Sequence, residues 1–145
     1  MSRYVYDKAE YHDDTVRDLG LPEEHAANHT VFFLRWLIEH SLMSKFFEEE
    51  SPDILSAFRE GRVSIHAVYE WWDQCLVEDM LSDDGNAFAQ AYFDFDHGEY
   101  VKDYVRVLQR DLQSQFHVPY TEENYQAISA VIDNRFGAWR QATHR

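Results

Sequence analysis

Cysteine is almost absent. Cys75 stands alone in 145 residues, so no disulfide can form within the chain. A domain of this length buries roughly 70% of its unfolded surface and needs neither a disulfide nor a metal to hold it together. The single thiol fits a reducing cytoplasm, which is the expected location. Long apolar runs are lacking as well. The richest, residues 31–38, is interrupted by Arg35 and is far too short to span a bilayer. The N-terminus shows no apolar signal segment. Five glycines and three prolines are all the punctuation there is, with no repeat and no low-complexity linker. A single domain over residues 1–145 is expected. Gly-x-Ser-x-Gly, a phosphate-cradling glycine loop and a spaced EF-hand ligand series are all missing.

Basic residues are missing over one long stretch. Between Arg62 and Lys102 there is no lysine and no arginine, while nine acids fall there: Glu70, Asp73, Glu78, Asp79, Asp83, Asp84, Asp94, Asp96 and Glu99. The stretch supplies −9 of the formal net charge of −14. A one-sign block on a folded domain attracts cations and repels anions. Nucleic acid and anionic membrane surfaces are therefore excluded as partners, and phosphorylated substrates are disfavoured. A basic protein is the expected partner.

Aromatics are abundant, at 16% of residues, which separates the chain from a disordered acidic tail. Their spacing is helical. Residues 1–20 read as an extended arm, and residues 21–145 as a helical core. A first helix is expected from Pro22 to Leu42, apolar on most sides, with a narrow polar wedge of Asn28, Arg35 and Glu39. Ser44 caps a short helix, Ser51-Pro52 opens another that Gly61 ends, and Ser64 opens one with the stripe Ile65, Val68, Tyr69, Trp72, Cys75 and Leu76. Ser82 starts the next, Asp94–Gly98 is a loop, and Tyr100–Leu112 is helical. Thr121 caps a last helix that buries Tyr125, Ile128, Ile132, Phe136 and Trp139. No segment alternates with period two. The expected fold is all-α, with about six helices.

Two aromatics sit among the acids. Trp71 falls at the edge of the Ile65–Leu76 stripe, and Phe95 lies between two aspartates. Aromatic anchors ringed by charge are the anatomy of a protein-binding hot spot. The candidate partner-binding set is Trp71, Glu78, Asp79, Asp83, Asp84, Asp94, Phe95, Asp96 and Glu99. No catalytic set and no cofactor are expected. An alternative rests on His25 and His29, four apart on the first helix and so on one face. They could make the chain a metal-binding protein or a metal-dependent enzyme, with a third ligand from His66, His97 or His117, although the zincin glutamate is missing. Cys75 reads as an inert core thiol. A further alternative is an acidic cytosolic module with a housekeeping partner, its charge serving only solubility.

Several local patterns occur in order: Tyr6-Asp7-Lys8-Ala9 with His12, then Phe33, Leu34 and Trp36, then Gly85-Asn86-Ala87-Phe88-Ala89 with Tyr92, and last Ile132-Asp133 with Arg135-Phe136 and Trp139. Together they resemble a family of small acidic bacterial proteins with no assigned function. The resemblance covers most of the chain and implies structural positions: a cap, a tight turn and core aromatics. In size, charge and architecture the chain is also similar to immunity proteins, which block interbacterial toxins such as type VI secretion effectors. That similarity implies a cognate basic toxin, most simply a nuclease, as partner. No immunity-protein residue carries over position by position.

Overall fold

The computed structural model describes residues 4–143. The fold is mostly helical, 68% helix and 6% strand, with eight α-helices among the described residues. At its centre lies α2 (Asn28–Glu39), whose Val31, Phe32, Phe33, Leu34, Trp36 and Leu37 are fully buried. It follows α1 (Asp13–Asp18) and a 3-10 turn at Glu23–Ala26. Then come α3 (Lys45–Glu50), α4 (Pro52–Arg59), α5 (Ile65–Trp71), α6 (Asp83–Tyr92), α7 (Tyr100–Tyr104) and α8 (Glu122–Thr143). The Ser44 hydroxyl caps α3 by accepting from the Phe47 N–H, Ser82 caps α6 through Gly85, and Thr121 caps α8 through Asn124. A wide π-turn, Val105–Gln109, prolongs α7.

The expected extended arm of residues 1–20 is replaced by compact structure; residues 1–3 lie outside the described residues. β1 (Val5–Lys8) pairs antiparallel with β2 (Cys75–Val77), then turns into a 3-10 segment, Ala9–His12, and α1. The mostly helical fold agrees with the all-α expectation, to which this short strand pair is a local addition, whereas the expected arm and the expected six helices are not what is found. The register slips between Val5 and Asp7, a bulge that leaves the extra residue unpaired. In a regular strand neighbours face opposite ways. Here the slip lets Tyr6 and Asp7 both be buried.

The stripe from Ile65 to Leu76 also proves discontinuous. Asp73 and Gln74 adopt left-handed φ of 59° and 53°, so the chain leaves α5 and reverses into β2. Cys75 and Leu76 are reached by that turn.

The expected helix Pro22–Leu42 breaks at Ala27, and only the part from Asn28 to Glu39 is α-helical. Asn28, assigned to a polar wedge, is instead buried, donating to the Val118 carbonyl at 3.2 Å and meeting His66 Nε2 at 2.8 Å. Arg35 does stand at the edge. It grips Glu122 with two bonds of 2.7 and 3.0 Å, bonds Glu39 and the Tyr120 hydroxyl, and lies over the Tyr125 ring, fastening α8 to α2. The Arg35 bonds hold Glu122 down at about 2.

Candidate functional site

The segment after β1 and the α5–β2 reversal face one another across a groove of about 770 Å³. Its walls carry six carboxylates, Glu10, Asp13, Glu23, Glu24, Glu70 and Asp73, against one base, Lys8. Lys8 is itself 3.9 Å from Glu10. A concave wall of one sign focuses the field that the net charge creates. Four of these acids lie outside the basic-free stretch, in residues 10–24, so the charge run in sequence finds only part of the groove.

Lys8, Asp73 and Cys75 also line an adjoining depression of about 620 Å³. Its floor includes Val5, Val77 and Met80, and its rim Phe46, Trp71 and Trp72. Trp71 is 49% exposed and Phe46 46% exposed. The Trp72 ring packs on Phe47 at 5.0 Å and against both rim rings, so it anchors them to the core. An acidic groove thus adjoins an apolar aromatic hollow. Trp71 is one of the expected anchors; Phe46, in the short helix that Ser44 caps, is not.

The other expected binding residues lie elsewhere along the chain. Glu78 and Asp79 form the turn after β2, where Glu78 Oε1 accepts from the Tyr4 N–H at 2.9 Å. Asp83 and Asp84 occupy the exposed first turn of α6. Asp94 folds its own loop, accepting from the Asp96 N–H at 2.9 Å and approaching His97 at 3.4 Å. The backbone bond from Asp96 holds the Asp94 carboxyl below its ordinary range. Glu99 pairs with Lys102 at 3.6 Å. Phe95 is 38% exposed, and its ring packs inward on Phe93 and His29. Of the expected set only Trp71 lines the hollow; Glu78, Asp79, Asp83, Asp84, Asp94, Phe95, Asp96 and Glu99 line neither the groove nor the hollow.

The expected histidine pair is not a pair. His25 stands in the 3-10 turn before α2, where i,i+4 spacing no longer aligns side chains. Its Nδ1 donates to the Phe116 carbonyl at 2.6 Å. His66 meets Asn28, His97 meets Asp94 and His117 meets Ser114. Among the described residues, none of the three joins His25 and His29 in a cluster of metal-binding geometry.

His29 has different partners. Asp7, turned inward by the β1 bulge, reaches His12 Nε2 at 2.8 Å with one oxygen and His29 Nε2 at 3.0 Å with the other. The Thr30 hydroxyl donates to the second oxygen at 2.6 Å. Asp7 and His29 are buried, and His12 closes the edge. The donor atoms of Asp7, His12 and His29 lie within 4.8 Å of one another, the arrangement among the described residues that could hold a metal ion. Burial opposes ionisation of Asp7, but the bonds from His12, His29 and Thr30 outweigh it and hold the carboxyl far below its usual range. The sequence reading missed this site. The signal was present, since Asp7 and His12 stand in one of the quoted patterns, but nothing local says that residue 29 meets residue 7.

Cys75 is half-buried in β2, its thiol 3.2 Å from the Asp73 carbonyl and pushed upward by burial, so it is a poor nucleophile. No helix among the described residues is long and apolar enough to cross a membrane. No curated protein and no solved structure matches the chain. One family model does match, over residues 5–118, a span that includes the groove, the aromatic hollow and the Asp7 cluster. The chain belongs to that family, described as Domain of unknown function (DUF7832).

Proposed function

We propose that the protein binds and occludes a basic protein partner in the cytoplasm. The partner class that best fits the charge is a cognate secreted nuclease toxin, which must itself be basic to hold phosphate backbones. One observation carries the reading: six carboxylates line a groove that shares a wall with an apolar hollow rimmed by exposed Trp71 and Phe46. Aromatic anchors beside a complementary charged rim supply the two halves of a tight interface, one for affinity and one for steering. Asp83, Asp84, Asp94, Asp96 and Glu99 extend the negative field beyond the contact itself and raise the association rate.

The test is capture from lysate of the source cells at near-physiological salt, followed by binding measurements on the isolated partner. Trp71→Ala, and separately Glu23→Lys with Glu24→Lys, weaken binding by more than about tenfold. Reversal of Asp94, Asp96 and Glu99 slows association. A stoichiometric amount of the protein abolishes the partner's activity. Capture of only a salt-labile mixture of basic proteins, or full affinity in the groove variants, would defeat the reading.

A further inference from the structure

We propose that Asp7, His12 and His29 form a binding site for one zinc-class divalent transition-metal ion, fixing β1 and the turn after it on α2. The inference does not rest on the partner-binding reading. Two imidazoles and one carboxylate are the ligand types such ions prefer. They come from three separate elements, the β1 bulge, the 3-10 turn after it and the start of α2, yet their donor atoms converge. A four-coordinate zinc with bonds of about 2.0–2.1 Å spaces its ligand atoms roughly 3.4 Å apart. The two Asp7–His contacts, 2.8 and 3.0 Å, use different carboxylate oxygens, and one ligand atom from each residue already lies within 4.8 Å of the others, so side-chain shifts of about an ångström bring the three to that spacing.

The surroundings favour an ion over a plain hydrogen-bonded hub. The Tyr69 hydroxyl is buried beside Thr30 and Asp7, closing the inner side of the cluster. Thr30 holds the carboxylate in place, and the Phe95 and Phe116 rings pack against the imidazoles, which fixes their planes and keeps bulk water out. Without an ion, the ionised Asp7 can only accept, so both Nε2 atoms carry protons. Metal binding displaces those protons, to Nδ1 or to solvent.

The experiment uses the full chain without a histidine tag. Protein stripped with a chelator is titrated with cobalt(II) and zinc(II), and metal content is measured after dialysis. The expected result is one equivalent of ion, visible with cobalt as ligand-field bands, and a higher melting temperature with zinc. His12→Gln removes stoichiometric binding; His12 is the ligand nearest the surface, which makes this variant the least disruptive. His25→Gln leaves binding intact, and Thr30→Val weakens it by about 10–100-fold. No stoichiometric uptake by the wild-type chain, or uptake unchanged in both His12→Gln and His29→Gln, would overturn the site. Should His12→Gln fail to fold, the wild-type titration and the Thr30→Val comparison still decide.

Discussion

Asp103 is a carboxylate with hardly any water, and three side chains replace the lost solvation. Arg135 grips both its oxygens at 2.9 Å, the Tyr92 hydroxyl donates at 2.7 Å and Arg106 lies at 3.2 Å. Burial opposes the charge, but the Arg135, Tyr92 and Arg106 bonds win and lower the carboxyl from its ordinary value. A lowered folded value stabilises the fold above the unfolded value, about 3.9, and that contribution fades as pH falls through the lower folded value. Asp103→Asn should therefore cost about 3 kcal/mol near neutral pH, toward the low end for a broken buried pair because both arginines still reach water. It should also flatten the loss of stability below about pH 4. Urea unfolding at several pH values checks both; an unchanged acid slope would mean that other carboxylates carry it. The pattern Asp133, Arg135, Phe136 and Trp139 becomes intelligible at this scale. Asp133 accepts from Trp36 at 2.8 Å and meets His40 at 3.0 Å, Arg135 serves Asp103, and Phe136 and Trp139 pack on Phe88. The sequence marks such residues as unusual in company, but their partners lie tens of positions away.

Among the elements, α6 is held tightly at its first turn. Ser82 caps it and also donates to the Leu42 carbonyl at 3.0 Å, while Asn86 donates to the carbonyls of Glu78 and Leu81 and accepts from the Tyr6 hydroxyl. A Cβ on Gly85 would collide with the Leu42 carbonyl oxygen, which is backbone and cannot swing aside. Gly85→Ala should destabilise the fold by about 1–3 kcal/mol although alanine favours helices, a cost of overpacking that thermal melts will read directly. A neutral effect would mean that α6 can retreat from Leu42. The starts of α3, α4, α6 and α8 were legible because a serine or threonine before a charged or proline-led first turn is a local signal. The strands were not. Four residues pair with three from a segment some seventy positions away, and the bulge removes the alternation that would have betrayed them. The end of α5 was hidden too, because no glycine or proline marks residues 72–74 and the apolar spacing runs on across the left-handed turn.

Over the whole molecule, the charge was plain in the sequence and its arrangement was not. The basic-free stretch gave the sign, whereas the groove combines Glu70 and Asp73 from it with acids of residues 10–24. That surplus has a stability consequence. Close pairs such as Arg35–Glu122 and Arg135–Asp103 act at about hydrogen-bond length and feel little screening. The remaining negative charge repels itself over longer distances, and salt screens such interactions once they exceed the Debye length, which shortens from about 30 Å at 0.01 M to about 8 Å at 0.15 M. Raising sodium chloride across that range should therefore raise the melting temperature, against the trend for a protein held by surface ion pairs. The double variant Glu23→Lys, Glu24→Lys sharpens the test, since it removes repulsion at the groove while damaging the proposed interface. It should melt higher than the wild type at low salt, lose that advantage as salt rises, and bind the basic partner worse throughout. Stability and affinity moving in opposite directions is what a groove kept acidic for a partner predicts. If both fall together, Glu23 and Glu24 support the local structure and the groove is not the interface.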